Sequence, residues 1–191
     1  MARWMAVLGL GVTVAAAAAR ADEPGDLHFS GRTQPAGHLA MTAGAGQLGG
    51  DPVYNLRLGY FAGPWLGIEA TIAHNPAGSL HAVLHYANAT ALLPNVSRLR
   101  PFTTAGLGII HVFPGASVNA NAVTKMLLNA GGGVHLFLRD DVALRLEARS
   151  FTVLDQQEAH RGTYHYVEWS GGLTFYRSLH DPESSETGAE P

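Results

Sequence analysis

Ten histidines, fifteen Asp or Glu side chains and no cysteine are the raw material for chemistry in this chain of 191 residues. Without cysteine there is no disulfide framework, no thiolate zinc site and no thiol nucleophile. His81 and His85 would share one turn of a helix, but on a strand four residues span about 13 Å, too far for one ion unless other strands converge. His81, His85 and His135 are expected to point into the interior of the fold, yet their spacing does not make a metal site, and no cofactor is expected. Gly44-Ala-Gly-Gln-Leu-Gly49 matches G-x-G-x-x-G. That pattern cradles a pyrophosphate only between a strand and a helix N-terminus. Here Gly50-Asp51-Pro52 and another extended segment follow, so the match reads as a loop. A Ser nucleophile needs a base within about 2.6–3.2 Å. The only H-x-S is His28-Phe-Ser30, with no Glu until Glu69. Ser150, Ser170 and Thr174 have no histidine at supporting spacing, and no catalytic residue is assigned.

The charges carry a clearer signal. Only 14% of residues are Asp, Glu, Lys or Arg. Arg57, Glu69, Arg145, Glu147, Arg149 and Glu168 each fall in the middle of an alternating segment. In Val142-Ala-Leu-Arg-Leu-Glu-Ala-Arg149 one face carries Val142, Leu144, Leu146 and Ala148, the other Ala143, Arg145, Glu147 and Arg149. Period two is a strand period; a helix would scatter those charges around its axis. The pattern recurs around Arg57 (Tyr54, Leu56, Leu58 and Tyr60 opposite), Glu69 (Leu66, Ile68, Ala70 and Ile72 opposite) and Glu168 (Val167, Trp169, Leu173 and Phe175 opposite).

Positioning these charges takes eight strands, predicted at 36–46, 53–61, 65–74, 79–90, 101–112, 124–138, 142–154 and 164–176. Short turns at 62–64 and 139–141 and a link at 93–100 alternate with connections at 47–52, 75–78, 113–123 and 155–163, the last two being the longest. His160 and His165 flank the last of them. Glycines 106, 108, 131 and 133 are expected to relieve crowding where strands bend.

Alternation alone does not say which face is inside. A soluble barrel, such as a lipocalin-like carrier, buries its apolar face, whereas a membrane barrel turns it to lipid and keeps a polar interior. Three features favour the membrane version. The strands are long, as the ~9–11 tilted residues of a spanning strand require. The charges are few and central. Aromatic residues gather near strand ends, at Tyr60, Phe61, Trp65, Phe102, Phe151, Tyr164, Tyr166, Phe175 and Tyr176, where interface girdles would lie. An Arg turned to lipid at the midplane costs ~2–4 kcal/mol. Arg57, Arg145 and Arg149 are therefore expected in the lumen, paired with Glu69, Glu147 and Glu168 in a structural ion network.

Residues 1–21 read as a secretory signal, with Arg3, an apolar run from Met5 to Ala19, and Ala19-Arg20-Ala21 as the cleavage site. Removing Arg3 and Arg20 with it leaves ten basic and fifteen acidic residues, a formal −5 that gives no pull towards nucleic acid. Residues 22–35 form an N-terminal segment, 36–177 the barrel, and 178–191 an acidic tail expected to be disordered.

Gly59-Tyr-Phe-Ala-Gly-Pro-Trp-Leu-Gly-Ile-Glu69, Arg100-Pro-Phe-Thr-Thr-Ala-Gly-Leu-Gly-Ile109 and the segment Leu128 to Phe151 resemble strands two to three, five, and six to seven of the small outer-membrane β-barrels grouped with the transmembrane domain of outer membrane protein A. The resemblance covers about residues 36–177 and implies an eight-stranded antiparallel up-and-down transmembrane barrel in the bacterial outer membrane, inserted by the outer-membrane assembly machinery. Lipid or lipopolysaccharide would surround a monomer. Family members commonly end on an aromatic at the tip of the last strand, whereas here a tail follows Phe175-Tyr176-Arg177. Eight strands close on an interior that side chains fill, which disfavours a general porin. The expected role is structural or surface-interacting, through loops 113–123 and 155–163. The alternatives are an enzyme that modifies lipid A and a soluble periplasmic carrier of a lipophilic ligand.

Overall fold

The computed structural model describes residues 36–76, 80–93, 98–114, 121–154 and 163–179. The expected signal segment, residues 22–35, the expected tail from 180 onward and most of the two longest connections lie outside them. The described residues form eight strands: β1 (His38–Leu48), β2 (Asp51–Phe61), β3 (Leu66–Pro76), β4 (Leu80–Leu92), β5 (Leu99–Pro114), β6 (Val123–Phe137), β7 (Val142–Leu154) and β8 (Thr163–Ser178). Each pairs antiparallel with the next, and β1 pairs with β8 from His38↔Ser178 to Leu48↔Glu168, so the sheet is a closed barrel. Closure leaves no edge, which is what lets a sheet sit in a solvent without hydrogen-bonding partners.

Side chains alternate strictly through the wall. On β2, Val53, Asn55, Arg57 and Phe61 are buried, while Tyr54, Leu56, Leu58 and Tyr60 are exposed. Around the barrel, Ile68, Ile72, Leu107, Leu146 and Trp169 lie on the outside at 50–67% exposure, while Arg57, Arg145 and Arg149 are at 1–2%. Charged residues are inside and apolar ones outside, the inverse of a lipocalin-like carrier. This is a transmembrane barrel.

The lumen is layered. At the end where β1 begins and β8 ends, Ala40, Phe61, Leu92, Phe102, Phe137, Ala143 and Tyr176 pack into one apolar cluster. At the other end Leu48, Val53, Ala73, Leu84, Tyr86, Ile110, Leu127, Phe151 and Val153 form a second. Four aromatic residues expected in the interface girdles therefore sit elsewhere. Phe61, Phe102, Phe151 and Tyr176 have lumenal parity and plug the barrel; Tyr164 and Tyr166 share that parity but are exposed at the distal end of β8, while Tyr60 and Phe175 lie on the outer face and Trp65 in the exposed turn between β2 and β3. Period two places a strand-end aromatic inside or outside according to a single-residue step.

Two further expectations change. The first distal connection is not a loop over 47–52 but a turn at Gly49-Gly50, whose φ angles of 60° and 98° suit the tight hairpin that a twisted pair of strands prefers. The glycine motif from Gly44 consequently lies in β1 up to Leu48, because the strand continues until that turn. Gly106 and Gly133 are needed for close approach. A Cβ at either would come within 2.0 Å of a neighbouring strand's carbonyl oxygen, that of Ala87 or Leu146. The interior of a narrow barrel leaves no room there. Gly106→Val is expected to lower the urea midpoint of folding in vesicles by the equivalent of about 1–3 kcal/mol or more. Gly63→Ala, where an added Cβ meets nothing within 4 Å, should leave the midpoint unchanged.

The lumenal charge network as candidate functional site

β2, β3, β7 and β8 each send charged side chains to the middle layer of the lumen, and closure brings them together. Glu147 is the hub. It meets Arg57 at 3.3 Å and Arg145 Nε at 3.1 Å through Oε2, and pairs with Arg149 through Oε1, Arg149 Nε donating at 3.0 Å. Arg145 also forks onto Glu69, donating from Nη1 to Oε1 at 2.5 Å and from Nη2 to Oε2 at 3.1 Å. This two-point geometry is the strong form of an Arg–carboxylate pair. Arg57 completes the circuit to Glu168 at 3.3 Å. Three guanidinium groups thus face three carboxylates, and the network is neutral.

Neutral side chains complete the coordination. Thr90 donates to Glu69 Oε2 at 2.6 Å, Asn55 to Glu168 Oε1 at 3.2 Å, and Arg57 donates to Ser170 Oγ at 3.3 Å. Arg149 donates to Asn129 Oδ1 at 3.2 Å. These residues carry no charge to draw attention in sequence, but parity marks them: Asn55 lies two before Arg57, and Ser170 two after Glu168. The guanidinium of Arg145 lies over the Phe102 ring at 4.4 Å and that of Arg149 over Tyr86 at 4.9 Å, so the ionic layer is bonded to both apolar layers. Satisfaction is uneven. Arg57 Nε, Asn55 Oδ1, Thr71 Oγ1 and Glu168 Oε2 on β2, β3 and β8, and Tyr86 Oη on β4 and His135 Nε2 on β6, are buried without a hydrogen-bond partner.

The histidines divide differently from their expected placement. His135 on β6 is lumenal and buried, paired through Nδ1 with the Tyr176 hydroxyl and edge-on to Phe102 at 4.8 Å. His81 and His85 instead lie on the outer wall and are exposed, because Leu84 and Tyr86 take the inward parity of β4. His135, His81 and His85 therefore do not converge. Among the described residues no group of three or more His, Asp or Glu side chains could hold a metal ion. Ser170 bonds Arg57, Thr174 bonds Thr42 at 2.8 Å, and Ser150 faces outward, so none meets His135. His28 and Ser30 lie outside the described residues.

A closed eight-stranded wall, apolar outside and salt-bridged within, has the fold of the small transmembrane β-barrels found in bacterial outer membranes. Solved structures place the fold in the same group. The N-terminal β-barrel domain of Pseudomonas aeruginosa OprF is similar over 74% of this chain and 98% of its own, with a TM-score of 0.64 at 14% identity. Neisserial surface protein A, NspA, is similar over 72% and 95%, with a TM-score of 0.57 at 13% identity. The outer membrane protein OprG from Pseudomonas aeruginosa is similar over 75% and 97%, with a TM-score of 0.52 at 9% identity. At such identities the likeness is one of fold. No protein-family model matches the sequence, and no curated protein matches it.

The hub position orders the expected effects of substitution. Glu147→Ala strands parts of three guanidinium groups and should cost about 3–5 kcal/mol, read as a lower urea midpoint in vesicles. Glu168→Ala, whose carboxylate is only half satisfied, should cost less. Combining Glu168→Gln with Arg57→Met should restore part of what either change alone loses, and strict additivity in that cycle would disprove coupling.

Proposed function

We propose that this chain is an integral outer-membrane protein whose wall has a structural role and whose distal loops, 113–123 and 155–163, carry any recognition. One observation carries the reading: the lumen is filled. Two apolar layers enclose a neutral ion network, and side chains at 0–2% exposure, among them Phe61, Phe102, Phe137, Leu84, Leu127 and Phe151, occupy both ends. Solutes then have no aqueous path of porin width, and His135, held by the Tyr176 hydroxyl among phenyl rings, meets none of Ser150, Ser170 and Thr174. What remains accessible from outside the cell is the rim and its loops. Surrounding lipid and lipopolysaccharide, and the assembly machinery during insertion, are the partners this reading implies.

Fractionation combined with a heat-modifiability gel and planar-bilayer recording tests it. The protein should be recovered with outer membranes, migrate faster unboiled, and give no stable conductance steps of porin size. Recovery in the soluble periplasm would overturn the membrane assignment, and stable large steps would overturn the closed lumen.

A further inference from the structure

Four histidines gather on the outer wall at the rim opposite the end where β1 begins and β8 ends. His74 on β3 lies opposite Val83 on β4, and Val83 lies opposite His111 on β5. His81 and His85 flank Val83 two residues away along the same face of β4, so the four imidazoles surround one valine. The His74 and His81 rings stack with centroids 6.3 Å apart, and His85 meets His111 edge-on at 5.7 Å. Thr124 Oγ1 on β6 lies 2.8 Å from His111 Nδ1, leaving Nε2 as that ring's other polar atom.

Their height is informative. On β5 the uncharged outward run from Pro101 to Ile109 rises about 20 Å, at ~3.3 Å per residue and ~40° of tilt. That nearly spans the lipid-facing band of about 25 Å. His111 is the next outward residue. On β3 the run Leu66, Ile68, Ala70 and Ile72 ends at His74, and on β4 the run Ala91, Ala89 and Ala87 ends at His85. The cluster therefore begins where hydrocarbon gives way to headgroups.

Among the described residues, the strands that carry the cluster place no Asp or Glu on its face. Between Glu69 and Asp140 the chain has no Asp or Glu, yet it carries Arg98, Arg100, Lys125 and Arg139 besides the histidines. From β2, Tyr54 lies opposite His74, and from β6, Thr124 lies opposite His111. Lys125, next on β6, sits 5.5 Å from the Tyr164 ring. Asp51, at the exposed tip of β2, is three residues beyond Tyr54 and of opposite parity. Residues 77–79 and 115–120, which join β3 to β4 and most of β5 to β6, contain no charged side chain in sequence. Any proton taken up by this cluster adds positive charge at headgroup depth.

We propose that His74, His81, His85 and His111 form a docking patch for the phosphate of an anionic membrane lipid, occupied more strongly as pH falls. The proposal rests on the membrane reading above. Imidazole changes charge between about pH 5 and 8, and cationic side chains near a membrane surface attract anionic lipid. A metal would behave oppositely, because it needs neutral imidazole and is released by acid.

The test uses the full chain in vesicles of phosphatidylcholine containing spin-labelled phosphatidylglycerol or spin-labelled phosphatidylcholine. Phosphatidylglycerol is a phosphodiester, so its own charge stays constant across the range. The association ratio of the anionic over the zwitterionic label should rise at least about threefold from pH 8 to pH 5.5. It should stay flat in the variant combining His74→Gln, His81→Gln, His85→Gln and His111→Gln. The pair His85→Lys and His111→Lys should give high selectivity at both pH values. A flat ratio in the unaltered chain, or a rise that survives the four-glutamine variant, overturns the patch. So does nickel binding, followed by calorimetry, that is lost at pH 5.5 and in that variant without any lipid selectivity. Unboiled-gel mobility of the same samples separates the two readings: failure to insert defeats the membrane assignment, whereas insertion with a flat ratio defeats only the patch.

Discussion

The antiparallel pairing of β1 with β8 is the contact from which the other features follow, because in lipid an open sheet edge would leave a row of backbone donors and acceptors with no partner. Eleven consecutive residue pairs, from His38↔Ser178 to Leu48↔Glu168, close that gap. Closing only eight strands fixes a narrow lumen, and a narrow lumen must be filled by the side chains that point into it. Filling then decides composition. Glycine stands where two strands come closest, phenyl rings where the bore is capped, and long side chains in between.

Those long side chains are charged, and the same geometry makes that tolerable. A guanidinium removed from water is costly unless its donors meet carboxylates in good geometry. Here each of Arg57, Arg145 and Arg149 reaches Glu147, and Glu69 and Glu168 bring the sum to zero. Phe102 and Tyr86 lie under two of the guanidinium planes, so the apolar caps and the ionic middle support one another. Such a network specifies register, since a one-residue slip of β7 would turn Arg145, Glu147 and Arg149 to lipid together.

The outer wall follows a different rule, set by depth. Uncharged residues cover the hydrocarbon band, and imidazoles replace them at the distal rim on β3, β4 and β5. On β8, His165 occupies the outward face near the same rim, within 3.1 Å of Thr152 Oγ1 on β7. Polar aromatic rings suit an interface where one side of the ring is apolar and the other wet.

Alternation in the linear sequence determined the strand count, the strand positions to within about two residues, and the shared face of Arg145, Glu147 and Arg149, because period two is a local property of the backbone. The scarcity of charge and its position at mid-strand also determined that this face looks inward. Local pattern could not say which glutamate meets which arginine, since Arg145 and Glu69 are 76 residues apart and become neighbours only through closure. Nor could it place residues whose parity was read one step wrong. His81 and His85 moved to the outer wall, and Phe61, Phe102, Phe151 and Tyr176 moved from the girdles to the plugs. Each of these depends on where a strand enters the sheet, and the pairing of whole strands, not the preference of any one residue, fixes that point.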